Sequence, residues 1–275
     1  MKNLVTKLEG SVSNNDLPRL GCVRVALTTA GTSKVKLNIV GNNIKMYTQN
    51  KEKIFISNTD GSLSSESSEA CSANITGGTV VYITNKYDIE TFDIYKESGN
   101  DITVEMDFEQ LEYSKKITRF GMSNTQVSGD ISALANMTGL TSAIFGGTNV
   151  TGSLGSIRNI KGLQSLLLYK TTVTGDISLL ADMTSMKSIS LNESNVSGDI
   201  TSLKKMILLE SFNIGGLCSG YFKTLCEGMR TQGRTSGKLS MNAYGGSVKV
   251  DSNTDFPTNT VVATFSSSGV TYSGV

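Results

Sequence analysis

Cys22, Cys71, Cys218 and Cys226 are the four thiols of this chain, and no histidine exists to deprotonate any of them. The missing imidazole removes Ser-His-Asp and Cys-His nucleophile activation, HExxH zinc sites and Cys2His2 fingers together. No CxxC pair occurs, and four cysteines in 275 residues are too sparse for a disulfide scaffold. They read as reduced, mostly buried thiols, with a Cys218–Cys226 bridge or a metal site as the alternatives. Two-carboxylate chemistry survives the histidine filter, as does Lys or Tyr chemistry. A polysaccharide hydrolase of that kind needs a pair among residues such as Glu66, Glu69, Asp88, Glu90 and Glu193 to meet in a cleft.

Two further patterns could hold a ligand. Asp130, Asp176 and Asp199, with Ser153 between them and Asp107 before, recur at one position of a repeat. Stacked carboxylates either accept local backbone N–H groups at turns or are bridged by Ca²⁺. The interrupted series, with no second oxygen ligand per copy, favours turns. Gly228-Met-Arg-Thr-Gln-Gly233-Arg234-Thr235 nearly spells a phosphate-binding loop. It has Arg where Lys is needed and no apolar strand leads into it, so it reads as an ordinary loop. No catalytic residue, metal ligand or cofactor is assigned.

The elements that carry these residues are set by a repeat. Val127, Val150, Val173 and Val196 lie 23 residues apart, each followed by a glycine two residues on: Gly129, Gly152, Gly175 and Gly198. The columns Ile131/Leu154/Ile177/Ile200, Leu134/Ile157/Leu180/Leu203 and Met137/Ile160/Met183/Met206 keep the same step. So do Leu140/Leu163/Met186/Leu209, Ala143/Leu166/Ile189/Phe212 and Phe145/Leu168/Leu191/Ile214. One alternating segment per copy predicts a short strand, and the apolar spacing of three predicts a helical or 3₁₀ return. A single copy buries neither of its faces, so the copies must stack. The frame reaches back to Val104, Asp107, Phe108 and Leu111, with Ile117, Phe120 and Met122 as its strand. It fails after about Leu217, where Lys238-Leu239-Ser240-Met241 suggests an irregular last coil.

The run Leu163-x-x-Leu166-x-Leu168-x-x-Thr171, followed by Val173-Thr174-Gly175-Asp176-Ile177, resembles the leucine-rich repeat over roughly residues 102–243. The Asn of the family pattern is replaced, so turn hydrogen bonding must fall to Thr148, Thr171 and Ser194. The implied architecture is β-rich: an N-terminal antiparallel β domain (1–100), a solenoid of 23-residue repeats (101–243) and a C-terminal β cap (244–275). For the first unit the pattern predicts strands at 23–28, 35–40, 54–57 and 79–84, arranged as a small sandwich or half-barrel. Residues 74–79 read as a hairpin turn and 61–72 as an exposed Ser/Glu-rich loop. Val261–Phe265 and Val270–Tyr272 read as a closing hairpin.

Outward positions of the repeat strands form the candidate partner-binding surface. Ser142, Ser165, Ser188 and Ser211 make one row, Ile144, Leu167, Ser190 and Asn213 the next, then Gly146, Tyr169, Asn192 and Gly215. The face is small and nearly uncharged, with an apolar spot at Ile144, Leu167 and Tyr169. A net charge of +1 gives no electrostatic basis for nucleic-acid binding. No window is long and apolar enough for membrane insertion, and Lys7 and Glu9 break the opening segment as a secretory signal. Synthesis in the cytosol is therefore expected, with the chain either staying there or leaving without the usual secretion signal.

The opening motifs Leu4–Gly10, Asn14–Gly21 and Val35–Gly41 resemble the front end of repeat proteins from phages and prophages of gut Bacteroidetes, over about the first 90 residues. That resemblance implies a non-enzymatic virion protein, a head fibre or similar appendage. Such a protein is homo-oligomeric, bound to capsid proteins through its N-terminal unit, and presents its repeat to a host protein or glycan. The alternative is a bacterial surface or intracellular leucine-rich-repeat interaction protein, and the remote one is the hydrolase above.

Overall fold

The computed structural model describes residues 23–41, 45–48, 53–56, 71–83, 87, 89–96, 103–106, 108–111, 113–245, 247–258 and 260–274. Across its middle the 23-residue step becomes a stack of coils. Strands Arg119–Gly121, Ser142–Ile144, Ser165–Leu167, Ser188–Ser190 and Ser211–Gly215 pair in parallel, each one repeat from the next. A second set pairs in the same sense: Ser128–Asp130 with Asn149–Thr151, and Thr174–Asp176 with Asn195–Asp199. Between the two sets run the 3₁₀ segments Ile131–Asn136, Ile177–Leu180 and Ile200–Lys205 and the short helix Leu154–Ile157. Every apolar column of the repeat is buried, so the coils share one continuous core. Short strands suffice because coil-to-coil hydrogen bonds, such as Leu168 N–H to the Ser190 carbonyl at 2.8 Å, continue past them.

Each coil turns through one left-handed residue. Asn124, Gly147, Lys170 and Glu193 form a column with φ of 56°, 69°, 52° and 55°. The next side chains close the turn: the Thr125, Thr148, Thr171 and Ser194 hydroxyls donate to the carbonyl three residues back, at 2.5 to 2.7 Å. Thr148, Thr171 and Ser194 are the residues expected to replace the Asn ladder, and Thr125 extends their column by one coil. Each bonds within its own coil instead of to its neighbour. The left-handed geometry costs a residue with a Cβ about 1–2 kcal/mol, part of which glycine returns as unfolded-chain entropy. Glu193→Gly is therefore expected to raise stability by about 0.5–1 kcal/mol, since its 3.7 Å pair with Lys170 is exposed at both ends. A lowered urea midpoint for this variant would contradict the account of the turn.

The last coil is longer. Ser211 pairs with Ser240, a step of 29, because the helix Phe222–Thr231 replaces the 3₁₀ return. Phe222, Leu225, Cys226 and Met229 face the core at helical spacing. The expected irregular coil is thus the strand Lys238–Tyr244, and the expected closing hairpin is Val261–Ser266 with Gly269–Ser273.

At the other end, several expectations change. The predicted strands at 23–28 and 35–40 are one strand, Val23–Gly41, paired antiparallel with Cys71–Ile83. Gly77 and Gly78 lie inside that second strand, and the irregularity opposite them is a register shift between Thr28 and Thr32, so they do not form a hairpin turn. Of the expected loop 61–72, residues 61–70 lie outside the described residues and 71–72 begin a strand. No separate sandwich forms among the described residues. Strand Ile89–Lys96 pairs antiparallel with Val23–Gly41 and in parallel with Arg119–Gly121, so one 14-stranded sheet crosses the boundary drawn at 100/101. Phe92, Phe108, Phe120 and Phe145 fasten that junction, with ring centroids 4.9–5.4 Å apart.

Candidate functional site

The predicted surface residues do share one face of the parallel sheet. Ser142, Ser165, Ser188 and Ser211 are direct neighbours across strands, as are Ile144, Leu167, Ser190 and Asn213. The alternation that buries Ala143, Leu166, Ile189 and Phe212 turns their flanking residues outward. The face is less open than exposed side chains would be. Ser142, Ile144, Ser165, Leu167, Tyr169, Ser188, Asn192, Ser211 and Asn213 are half-buried, and Ser190 is buried. Ser190 donates to Asn192 Oδ1 at 2.9 Å, which accounts for its cover. The Tyr169 ring lies over Gly146, where any Cβ would strike it. The apolar spot is therefore packed down on its own sheet.

The sequence reading missed residues at both ends of this face. Pairing of Ser211 with Ser240 and Asn213 with Asn242 extends the serine and amide rows by one strand and adds the exposed Tyr244. The alternation Ser240-x-Asn242-x-Tyr244 was visible, but the 29-residue step hid its register. Asn242 Nδ2 donates to Asn213 Oδ1 at 2.8 Å, and the Thr260 hydroxyl donates to Asn242 Oδ1 at 2.8 Å. At the opposite end, Arg119 Nε donates to the fully buried Asp93 carboxylate, and Arg119 Nη1 reaches Ser142 Oγ at 3.4 Å. Gly121 makes this possible, since a Cβ there would lie 2.6 Å from Asp93 Oδ1. Between that ion pair and Asn242 the three rows carry no charge.

The recurring aspartates have a different task. Asp130, Asp176 and Asp199 each accept the backbone N–H two residues on, at 2.7–2.8 Å, and cap a 3₁₀ segment. Ser153 does the same at 3.2 Å. The Ser178 hydroxyl and N–H hold the Asp176 carboxyl below its usual range. The repeat glycine of the next coil makes room: a Cβ on Gly152 or Gly198 would meet Asp130 or Asp176 Oδ1 at 2.5 Å. Asp107 lies outside the described residues. Turn capping accounts for the recurrence of this column.

Cys218 and Cys226 are free and buried, so the alternative bridge does not form. Burial pushes the Cys218 thiol up to about 11 and Cys226 to about 12, which keeps both protonated at neutral pH. Cys22 lies outside the described residues, and Cys71 begins a strand. Of the candidate carboxylates, Glu66, Glu69 and Asp88 lie outside the described residues, Glu90 is exposed, and Glu193 faces Lys170. The four residues Gly228–Thr231 of the phosphate-loop-like run are helical, not loop.

The in-register stack, its 23-residue coils and its single apolar core define a leucine-rich-repeat solenoid. The sequence matches no protein-family model and no curated protein. Among solved structures it is similar to the ectodomain of the Arabidopsis thaliana receptor kinase SOBIR1 (18% identity, TM-score 0.40, 48% of this chain and 71% of that one). It is also similar to a pollen receptor kinase 3 (15%, 0.43, 57% and 74%). A third likeness is an internalin from Listeria monocytogenes (15%, 0.25, 59% and 68%).

Proposed function

We propose that this chain is a non-enzymatic recognition module that holds a protein or glycan partner on the outward rows of its parallel sheet. The observation that carries this is the face itself. Consecutive strands present three aligned, uncharged rows, one of Ser alone and two that mix Ser, Asn and Tyr with Ile, Leu and Gly. Hydroxyl and amide groups give such a face directional hydrogen bonds without the desolvation cost of buried charge.

In the finer reading the module belongs to a phage particle, as a homo-oligomeric head fibre or similar appendage. Its N-terminal β unit meets capsid proteins, and the rows meet the host surface. The N-terminal resemblance to phage repeat proteins supports that setting. Mass spectrometry of purified particles tests it, and absence of the chain from them ends it. The alternative, a bacterial surface or intracellular interaction protein, uses the same face in another setting, and a gene neighbourhood without capsid, portal or tail genes would favour it.

The face is tested apart from the setting. Ser165→Arg/Ser188→Arg is expected to weaken binding to host cells at least about tenfold, some 1.4 kcal/mol, with an unchanged thermal midpoint. Lys161→Ala, in the turn after the Leu154–Ile157 helix, is expected to bind like the wild type. Undiminished binding by the double variant would remove the face from consideration.

A further inference from the structure

Away from the rows, the segment after the helix Phe222–Thr231 closes a cleft of about 590 Å³ against the edges of two coils. Lys187, Arg234 and Lys238 line it against a single carboxylate, Glu210. Two positive charges are therefore in excess. Arg234 is 5% exposed. Its Nη1 donates to the Leu209 carbonyl at 2.5 Å and its Nη2 to the Lys238 carbonyl at 2.8 Å, and its guanidinium lies 4.1 Å from the Phe265 ring centroid. Its Nε has no hydrogen-bond partner, and no carboxylate of the described residues forms an ion pair with Arg234, Lys187 or Lys238. Carbonyl dipoles and an aromatic face stabilise the buried charge, but they do not neutralise it.

The same wall supplies donors. Backbone N–H groups of Thr235 and Ser236 make no hydrogen bond within the described residues, and both hydroxyl-bearing residues line the cleft. Successive free N–H groups beside cations form an anion-binding concavity. We propose that this cleft binds a tetrahedral oxyanion, a phosphate or its ester. Lys187 and Lys238 supply charge, Thr235 and Ser236 supply directed hydrogen bonds, and Arg234 fixes the wall. The near-match at Gly228–Thr235 thus marks an anion site by a different route from a nucleotide loop. Its arginine is buried in the wall, and the two residues that follow it line the cleft. The volume falls within the range of small-molecule sites, about 300–1,000 Å³, so an esterified anion fits as well as a bare one.

Calorimetric titration of the full chain at low ionic strength tests this, with inorganic phosphate, glucose 6-phosphate and glucose as probes. Both anions are expected to saturate and glucose to give no heat. Tighter binding of glucose 6-phosphate assigns the ester, and equal affinities assign the bare anion. Lys187→Ala/Lys238→Ala is expected to weaken phosphate at least about tenfold. Glu210→Gln, which removes the one opposing charge, is expected to tighten it about threefold. Loss of folding cannot produce that gain. No saturable phosphate binding by the wild type, or a Glu210→Gln affinity at or below the wild-type value, overturns the assignment.

Discussion

Leu166→Asp is expected to unfold the solenoid, while Ser188→Asp leaves its unfolding free energy within about 0.5 kcal/mol of the wild type. Leu166 is fully buried at the centre of the stack, on the strand between those of Ala143 and Ile189. A carboxylate there either loses its hydration between two coils or takes up a proton, and each path costs several kcal/mol. Beyond that, removing the leucine side chain opens a cavity worth about 2–5 kcal/mol. Because each coil is stable only against its neighbours, damage in the middle is felt on both sides. Ser188 sits one strand away with the opposite orientation, half-buried among the serines of adjacent strands, where a carboxylate keeps its water. Circular dichroism through a urea gradient separates the two variants. Coincident transitions would mean that the inward and outward assignments are wrong.

Gly198→Ala should be, with Gly152→Ala, the most damaging change among the glycines of the repeat frame. Its φ of +108° lies where residues with a Cβ are strained by about 1–3 kcal/mol. The added methyl would also press on Asp176 Oδ1 at 2.5 Å, the atom that caps the 3₁₀ segment of the preceding coil. Displacing that cap costs a further ~1 kcal/mol. The two losses are linked, so a double-mutant cycle with Asp176→Ala is expected to show a coupling of about 0.5–3 kcal/mol. Once the carboxylate is gone, the methyl has less to strike. Gly162→Ala has open space around its Cβ and no positive φ, and it serves as the neutral reference. Additive losses at Gly198 and Asp176 would refute the contact between coils.

The repeat was legible because one constraint, burial between stacked neighbours, acts on every apolar column and leaves a fixed period. Val127, Gly129, Ile131 and Leu134 announce the coil, and their counterparts one step on repeat it. Short-range chemistry was legible too. A hydroxyl after the turn and a carboxylate before the 3₁₀ segment act within two or three residues of themselves. What stayed hidden depends on distant partners. Gly77 and Gly78 have the composition of a turn, and only the long strand opposite holds them extended. The strand Ile89–Lys96 looks like its predecessors, yet it pairs with both Val23–Gly41 and the first coil. The anion cleft joins Lys187 to Lys238 across the lengthened coil, a meeting that no local spacing encodes.

The junction at the first coil also has a mechanical meaning. Since Ile89–Lys96 pairs directly with Arg119–Gly121 and four phenyl rings interlock beside that pairing, the described strands before and after it belong to one sheet. A partner that held the strands Val23–Gly41 and Ile89–Lys96 would therefore also fix the bearing of the serine rows, because strand pairing links the two.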